Sequence, residues 1–551
     1  MKATANETVL HALSDCSDPT KGITFTQTDH FLSYPDLRDE ARKFAYFLIS
    51  QLNLKKRDRI VVILPDEQEF VIAFTGSLWA GIVPVPLYPP LLIAQMDSYK
   101  ARVAAIYDQC GATLLLTSTL GRDLLQHDEI PIRVELFPEV VPTQAFDGDP
   151  DCDKNDLAFI QFTSGSTNSP KGVAVSHRSL VENARAIIGH LRITGEDRGV
   201  SWLPLYHDMG LIGFLMVPIM TDGLVWLMSP LQFARRPTDW CDTISKVGGT
   251  ISYAPSFAYG LLTRRITEDQ IDSWDLSSWR VAGSGAEPVS GSDLRTFAEL
   301  LRPTGFRSRA LLPSYGLAEM TLAVTISELD AEFHEIAIDR VEFEETGWAN
   351  PAKHSRASIS LISCGPPMSG FRIQIVDPAS RLQVKDGRQG LVLTGGPSIA
   401  DGYFRDPDRT NRIFDDGWVD TGDLGLIHEG ELFITGREKD QIILNGRNYH
   451  PQDIEAIASA VPGARRGCSV AFSISNQGKE TAVVVIESRG DSGALELSRA
   501  AMRDVHDRLG VTLADVIVIG SNSIPRTSSG KVRRSESKRM YLEGMFESRL
   551  Q

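Results

Sequence analysis

Hydroxyl-bearing residues and glycines are concentrated in one short stretch, FTSGSTNSPKGVAVSH (162–177). Small residues let backbone N–H groups approach phosphate oxygens, and hydroxyls add further donors. Lys171 would supply positive charge for terminal phosphates. A flexible Ser/Gly loop without a ligand would have the same composition. The stretch does not match G-x-x-x-x-G-K-[ST], because Lys171 follows a proline and precedes a glycine, and this argues against a P-loop NTPase.

The same stretch resembles the phosphate-binding motif of the adenylate-forming superfamily, which includes acyl-CoA synthetases, luciferases and peptide-synthetase adenylation domains. Members carry further motifs in a fixed order, and this chain has similar ones at SYGLAE (314–319), TGD (421–423), GREKD (436–440) and PRTSSGK (525–531). The resemblance implies an α/β fold: a large N-terminal adenylate-forming domain of several subdomains, followed by a small, mobile α+β C-terminal domain.

The resemblance also implies ATP and Mg²⁺ as cofactors. The expected nucleotide-binding residues are Thr163, Ser164, Gly165, Ser166, Thr167, Lys171, Gly285, Ala286, Glu287, Ser314, Tyr315, Gly316, Asp423 and Arg437. Glu319 is the expected catalytic metal ligand, since Mg²⁺ prefers oxygen donors. The ring of Tyr315 could stack on adenine. Without the other motifs, Tyr315 would be interpreted as a core aromatic and Asp423 as a turn residue.

Lys531 is the expected catalytic contact to the substrate carboxylate and the α-phosphate. The Ser/Gly-rich loop before it predicts an exposed, mobile position, and without the other motifs it would be interpreted as a surface lysine. Lys531 also belongs to a basic cluster, which comprises Arg526, Lys531, Arg533, Arg534, Lys538 and Arg539. This cluster could be a solvated face, a phosphate clamp or a docking patch for an acidic partner.

By the same resemblance, SWLPLYHDMGLIG (201–213) contributes the acyl-binding site. His207 stands where peptide-synthetase adenylation domains carry the aspartate that holds the substrate ammonium, so it is a candidate for catalysis and for substrate binding. The other candidate substrate-binding residues are Asp208, Met209, Gly210, Leu211 and Ile212. Small and apolar side chains suit an alkyl chain better than an amino acid. Asp208 would offer a carboxylate if it pointed inward.

Finer details resemble one branch of the superfamily, the fatty acyl-AMP ligases. They include QFTSGST, LPLYHDMGLIG, SYGLAE, PVPLYPP, GRNYHPQDIE (446–455) and a long segment between Glu319 and CGPP (364–367). In that branch, an insertion at this point is linked to an altered domain arrangement and to loss of activity toward coenzyme A. An ordinary surface-loop insertion is the alternative, because such insertions cost little stability.

The implied reaction is ATP-dependent formation of a fatty acyl-adenylate with release of pyrophosphate. The acyl group would then pass to the phosphopantetheine of a holo acyl carrier protein that acts in trans, after the small domain turns about Lys439. Two other hypotheses remain open at this point. One is a fatty acyl-CoA ligase of the same fold, and the other is a catalytically silent homologue that binds nucleotide or partners.

The composition of the chain limits the classes of binding partner and the cellular locations that are expected for it. Lys and Arg number 56 and Asp and Glu number 71, giving a formal net charge of −15, which argues against a general nucleic-acid binder. The six cysteines form no C-x-x-C pair, so neither a disulfide framework nor a zinc site is expected. The N-terminus has no apolar signal-peptide region, and the most apolar window, 211–220, is too short to span a bilayer. We therefore expect a soluble, cytoplasmic protein.

The elements that must position these residues alternate between strands and helices. RIVVILP (59–65), VPVPLYPP (83–90), ATLLLTS, TISYAPS, WRVAGSG and GLVLTGG are predicted strands, and such alternation favours a mostly parallel sheet. After ELFITGR (431–437) the predicted order is strand, helix, strand, strand, helix, strand, which resembles a split βαβ unit. The predicted domains are therefore 1–437 and 438–551. Residues 327–360 show little periodicity and are predicted to be irregular.

Overall fold

The structure is a computed structural model that describes residues 7–90, 96–125, 132–138, 142–163, 170–352, 358–444, 447–476, 479–490, 493–526 and 531–546. Its strands are β1 (Gly22–Phe25), β2 (His30–Ser33), β3 (Arg59–Ile63), β4 (Val83–Pro86), β5 (Leu114–Thr117), β6 (Val134–Leu136), β7 (Leu157–Thr163), β8 (Lys171–Ser176), β9 (Arg198–Ser201), β10 (Leu224–Leu227), β11 (Ile251–Ala254), β12 (Val281–Ser284), β13 (Leu311–Gly316), β14 (Ala323–Ile326), β15 (Glu335–Asp339), β16 (Ser358–Ile362), β17 (Arg372–Val376), β18 (Gly390–Gly395), β19 (Phe414–Asp415), β20 (Trp418–His428), β21 (Glu431–Arg437), β22 (Ile442–Leu444), β23 (Arg447–Tyr449), β24 (Ala464–Asn476), β25 (Lys479–Ser488) and β26 (Leu513–Ile519). Its α-helices are α1 (Val9–Asp15), α2 (Tyr34–Tyr46), α3 (Glu67–Trp79), α4 (Met96–Cys110), α5 (Thr119–Leu125), α6 (His177–Leu191), α7 (Asp208–Leu211), α8 (Val217–Thr221), α9 (Pro230–Arg235), α10 (Asp239–Val247), α11 (Ser256–Thr263), α12 (Glu268–Ser273), α13 (Gly291–Leu301), α14 (Arg340–Thr346), α15 (Pro407–Ile413), α16 (Pro451–Ala460), α17 (Ala494–Leu509) and α18 (Arg534–Leu542).

Two mostly parallel sheets form the centre of the first part of the chain. One has the strand order β14-β13-β12-β11-β9-β10-β1-β2, with antiparallel pairs only at its two ends, and the other has the order β4-β3-β5-β6 and is parallel throughout. The strands predicted at 59–65, 83–90 and in ATLLLTS, TISYAPS and WRVAGSG all belong to these sheets. The prediction of parallel sheets with helical connections is confirmed for this region.

The strands between β17 and β21 form an antiparallel sheet instead. GLVLTGG, which becomes β18, therefore lies outside the parallel sheets. The reason is connection length: β20 and β21 are joined by a two-residue turn, and antiparallel strands need no crossover helix. This sheet ends at Arg437 and carries Asp423 on β20, so it supplies two candidate site residues.

Residues 438–546 contain their own sheet, β24-β25-β26, with α16 and α17 packed against it. The observed order agrees with the predicted order, with two additions: β22 pairs with a short β23 in a separate hairpin, and α18 follows the last strand. A cluster of buried apolar side chains begins at Ile442 and ends at Val518, separate from the large cluster that runs from Val9 to Val419.

The predicted irregular segment, 327–360, is more ordered than the sequence indicates. β15 and β16 pair antiparallel, and α14 lies between them. Ile338 and Phe343 of this segment are buried against Leu426 and Phe433 of the antiparallel sheet. Periodicity missed these elements because each is short and buries only a few side chains. Residues 353–357 lie outside the described part of the chain.

All six cysteines lie in described residues, and none of them forms a disulfide in the structure. Among the described residues, the structure contains no helix with the length and hydropathy needed to cross a bilayer.

Candidate active site

The hydroxyl-rich stretch connects the two strands of a β-hairpin. β7 and β8 pair antiparallel, and Thr163 at the end of β7 lies opposite Lys171 at the start of β8. Ser164, Gly165, Ser166 and Thr167, which the sequence predicts to bind nucleotide, lie outside the described residues. Lys171 is half-buried, and burial lowers the pKa of its ammonium, although the nearby Glu319 carboxylate opposes that effect.

Tyr403 joins Lys171 to Glu319. The Tyr403 hydroxyl donates to Glu319 Oε1 at 2.6 Å, and Lys171 Nζ lies 5.6 Å from the centroid of the Tyr403 ring, within range of a cation–π interaction. Burial and the Glu319 carboxylate both raise the pKa of Tyr403, so the phenol remains a donor. No sequence pattern indicated this residue, because Tyr403 and Glu319 are far apart in the chain and no local spacing relates them.

The backbone around Tyr403 is held against β8. Ala174 N–H donates to the Gly402 carbonyl, and Phe404 N–H donates to the Gly172 carbonyl, at 2.9 and 2.8 Å. Ala400 N–H also donates to the Glu319 carbonyl oxygen at 3.0 Å. Segment 400–404 is therefore fixed to the strand that begins with Lys171 and to the turn that carries Glu319.

Asp423 is the centre of a second cluster. Its side chain is buried; Oδ2 accepts a hydrogen bond from the Tyr315 hydroxyl at 2.7 Å, and Oδ1 lies 2.8 Å from Arg437 Nε. The Arg437 side chain is 58% exposed, and the Asp423 carboxylate raises the pKa of its guanidinium. Three candidates from separate motifs thus lie together, and a carboxylate with an exposed arginine beside it suits the hydroxyls of a ribose.

The loop after β12 and the end of β13 lie side by side. Ser314 Oγ donates to the Ser284 carbonyl at 3.3 Å, and a Cβ built on Gly285 would come within 2.8 Å of Ser314 Oγ. Ala286 has a φ of +71°, a left-handed conformation that costs energy for a residue with a side chain. Glu287 Oε1 accepts from Phe257 N–H at 2.7 Å, and burial raises the pKa of its carboxyl group.

A glycine is required at 316. A Cβ added there would overlap the Leu322 carbonyl oxygen, because the chain folds back on itself between Tyr315 and β14. This close approach, rather than contact with a ligand, explains the glycine on the described geometry.

The predicted acyl segment begins a helical stretch, α7 followed by a π-helical turn at Ile212–Met216 and then α8. His207 Nδ1 lies 2.6 Å from Asp208 Oδ1. Burial works to raise the pKa of Asp208, but His207 and Lys531 nearby, together with the Met209 N–H, hold it below its usual value. Asp208 therefore offers a carboxylate at this site. Met209, Leu211 and Ile212 belong to the buried core, and Gly210 packs against the Pro204 carbonyl.

The expectation that Lys531 is exposed is wrong. Its side chain is only partly accessible, and burial lowers the pKa of its ammonium. The charged groups close enough to shift that pKa are Asp208, Arg437, Glu287 and Asp423. All four of these groups precede residue 438, so Lys531 is the candidate that the C-terminal part of the chain contributes to the site. The loop before it, 527–530, lies outside the described residues.

Two other members of the basic cluster, Arg534 and Arg539, are engaged in ion pairs. Arg534 pairs with Asp440 at 3.0 Å and with Glu455 at 2.6 Å, and Arg539 pairs with Glu536 and Glu543. The partners of Arg534 favour a structural role over a docking patch. Lys439, the predicted hinge residue, is exposed within the 3₁₀ turn Glu438–Asp440.

The residues present fit ATP with Mg²⁺. Lys171 and Arg437 supply positive charge, and Glu319 offers one carboxylate. Among the described residues no group of three or more His, Cys, Asp or Glu side chains could hold a metal ion by itself. A single carboxylate suits Mg²⁺, which usually keeps several waters and takes its remaining ligands from phosphates.

Comparisons with known proteins agree with this geometry. Residues 15–404 match the AMP-binding enzyme family. A putative acyl-CoA synthetase of Caulobacter vibrioides is 36% identical over 94% of this chain and 91% of its own length. A medium-chain-fatty-acid–[acyl-carrier-protein] ligase of Moorena producens is 34% identical over 94% of this chain and 90% of its own.

A solved structure from work on the fatty acyl-adenylate ligases of E. coli and L. pneumophila has a TM-score of 0.91 and 37% identity, and the match covers 99% of both chains. The resemblance inferred from the motifs is confirmed. The chain therefore belongs to the AMP-binding enzyme family, within its fatty acyl-AMP ligase branch.

Proposed function

We propose that this protein activates a fatty acid with ATP. A carboxylate oxygen of the acid attacks the α-phosphorus, a new carbon–oxygen–phosphorus linkage forms, and the bond from the α-phosphorus to the bridging oxygen of the β-phosphate breaks. The products are a fatty acyl-adenylate and pyrophosphate. The protein's task in such a displacement is to position the reactants and to neutralise charge.

The observation that carries the proposal is the position of Lys531. Asp208 belongs to the predicted acyl segment, whereas Asp423 and Arg437 belong to the predicted ribose site, and all three act on the Lys531 ammonium. A cation between these two sites can contact a carboxylate and an α-phosphate together. It would orient the nucleophile and stabilise the charge that develops at phosphorus.

The remaining candidates have roles that follow from their surroundings. Lys171 and the hydroxyl-rich connection would bind the β- and γ-phosphates, and Asp423 with Arg437 would bind the ribose. Glu319 would hold Mg²⁺, which supplies further neutralisation of phosphate charge. The loop at 285–287, with Ser314 and Tyr315, would line the adenine side.

We assign the acyl side to the segment that starts at His207. The Asp208 carboxylate pairs with His207, and we propose that this pair orients the Lys531 ammonium before the fatty carboxylate enters. The stretch that follows carries apolar and small residues, which suits an alkyl chain.

The second half-reaction would transfer the acyl group to the phosphopantetheine thiol of a holo acyl carrier protein supplied in trans. We propose domain limits of 1–437 and 438–551, with Lys439 as the hinge. Separate apolar clusters on the two sides of this point support the division. The elements β15, α14 and β16 contact both parts, through Phe433 and through β23, and we expect them to disfavour coenzyme A. The free thiols are consistent with a cytoplasmic location.

The test is mass spectrometry of the products formed from dodecanoate and Mg–ATP, with the protein alone, with coenzyme A, and with a holo acyl carrier protein. We expect acyl-adenylate in all three reactions and acyl transfer only to the carrier. Lys531→Ala should reduce adenylate formation by about 10²–10³-fold, whereas Lys538→Ala, in the same part of the chain, should not. Rapid formation of acyl-CoA would show an acyl-CoA ligase, and no adenylate from any acid tried would indicate a silent homologue.

A further inference from the structure

Arg409 lies next to the cluster formed by Lys171, Tyr403 and Glu319. It belongs to the short helix α15, which starts directly after the segment 400–404 that is bonded to β8. The Asp406 side chain accepts the Arg409 N–H at 3.1 Å, and Arg409 Nε lies 3.4 Å from Asp406 Oδ2. The Nε side of the Arg409 guanidinium therefore faces Asp406, which caps the N-terminus of α15.

A second nitrogen of the guanidinium, Nη1, has no partner in the part of the chain that the structure describes. Arg409 Nη1 is buried and makes no hydrogen bond to any described residue, although only 20% of the side chain is exposed. A guanidinium stays charged at all physiological pH values, so it cannot relieve this situation by losing a proton. A buried donor without an acceptor is costly, and such groups in folded proteins usually have a partner, a water or a ligand.

The position of this guanidinium indicates what the ligand is. Arg409 Cζ lies 6.0 Å from the centroid of the Tyr403 ring, and Lys171 Nζ lies 5.6 Å from the same centroid. The two cations are near enough that Arg409 lowers the pKa of Lys171. The Glu319 carboxylate near Lys171 accepts the Tyr403 hydroxyl, and Asp406 is the partner of Arg409, so the carboxylate beside each cation is already engaged. A polyanion would remove their mutual repulsion.

We propose that Arg409 is a further binding residue for the pyrophosphate portion of ATP, acting beside Lys171 on the β- and γ-phosphates. This assignment rests on the function proposed above. Pyrophosphate is favoured over the ribose because Asp423, bonded to Tyr315 and Arg437, forms the proposed ribose site. Arg409 instead lies against the Tyr403 ring, as Lys171 does. Tyr403 is a positioning residue, since its ring supports both cations and its hydroxyl holds Glu319.

Pyrophosphate–ATP exchange tests the inference. In this assay inorganic pyrophosphate attacks the acyl-adenylate at phosphorus, displaces the carboxylate and re-forms ATP. Arg409→Gln should raise the KM for pyrophosphate by about 10- to 100-fold, the loss expected for one charge-assisted hydrogen bond. Arg409→Lys should recover part of that loss, because it restores the charge without the fork of donors. Arg412→Gln, an exposed residue of the same helix, should leave the KM unchanged.

Binding of a non-hydrolysable dodecanoyl-adenylate analogue separates a phosphate contact from a structural role. The analogue lacks pyrophosphate, so its affinity should be the same for wild type and Arg409→Gln. An unchanged KM for pyrophosphate in Arg409→Gln, or an equal loss of affinity for the analogue, would overturn the inference while wild-type exchange still supports the proposed function. Absence of acid-dependent exchange in the wild type would instead refute the proposed function.

Discussion

Replacing Arg534 with methionine should destabilise the C-terminal unit, residues 438–546, by removing a buried ion-pair network within it. The guanidinium pairs with Asp440 at 3.0 Å and Glu455 at 2.6 Å, and Nε donates to the Ala471 carbonyl at 2.8 Å. The exposed fractions of these three charged side chains are 13%, 18% and 16%. One residue thus links the 3₁₀ turn at the predicted hinge, the helix α16 and the strand β24.

The expected cost follows from burial. Removal of Arg534 leaves two mostly buried carboxylates without their cation, and loss of one partner from a buried pair typically costs about 3–5 kcal/mol. Glu455 Oε1 keeps one donor, the Ala471 N–H at 2.8 Å, which favours the lower end of that range. Since about 1.4 kcal/mol corresponds to a factor of ten, amides that exchange by opening of this unit should exchange roughly two to four orders of magnitude faster.

The positions of the tryptophans allow unfolding of the C-terminal unit to be measured separately from unfolding of the rest of the chain. All eight tryptophans precede the C-terminal unit, at positions 79, 202, 226, 240, 274, 279, 348 and 418. Urea unfolding followed by tryptophan fluorescence therefore reports on the first part of the chain, and peptide-resolved hydrogen exchange of 464–519 reports on the second. We expect Arg534→Met to accelerate exchange with little change in the fluorescence transition.

Arg539→Met is the matched control for Arg534→Met. Arg539 also has two carboxylate partners, Glu536 on α18 and Glu543 directly after it, but its side chain is 41% exposed. Exposed pairs contribute about 0–1 kcal/mol each, so exchange should change little. If Arg534→Met behaves like Arg539→Met, the argument from burial is wrong.

Three further substitutions test other parts of the structure. His177 is buried, and burial lowers its pKa to about 4. The unfolded state binds a proton there below about pH 6.5, so the free energy of unfolding should fall by about 3 kcal/mol as pH drops from 6.5 to 4. His177→Phe should lose this dependence in urea unfolding at the two pH values, and an equal dependence in wild type and variant would contradict the argument. Tyr403→Phe removes the donor to Glu319 but keeps the ring, and should raise the Mg²⁺ concentration for half-maximal adenylate formation by about tenfold, with an unchanged requirement arguing against the positioning role. Gly316→Ala forces a Cβ against the Leu322 carbonyl and should destabilise the chain by about 1–3 kcal/mol in urea unfolding, so a neutral result would show that this turn can relax.

The features predicted well are those that depend on local pattern. The strand–helix alternation up to β12 and the order of elements after residue 441 follow from runs of apolar residues and from their spacing. The motif residues Tyr315, Asp423 and Arg437 do come together, because each lies at the end of a strand or in a turn that the sheets bring to one place.

Features that depend on distant contacts were not predicted. Tyr403 and Arg409 acquire their roles only when segment 400–404 bonds to β8, and no spacing within GYFRDPDRT reveals that pairing. The loop before Lys531 predicts exposure from its composition, yet burial is decided by the surrounding packed elements. The elements β15 and α14 each bury one apolar side chain, Ile338 or Phe343, against the antiparallel sheet. Two buried residues are too few to produce a detectable periodicity in the sequence.

The burial of the cysteines has a practical consequence. Burial raises the pKa of Cys110 and Cys152 to about 11 and that of Cys364 to about 12, and it also raises the pKa of Cys241 and Cys468. Cys16 is buried as well. Alkylating dyes react with thiolates, which the five cysteines with a raised pKa scarcely form near neutral pH, and burial restricts access to Cys16. Cysteines introduced at exposed positions on either side of residue 437, such as Thr296→Cys and Ser535→Cys, should therefore take up fluorophores selectively without removal of the native thiols. Energy transfer between the two fluorophores would then test the proposed rotation about Lys439 in the otherwise unaltered chain.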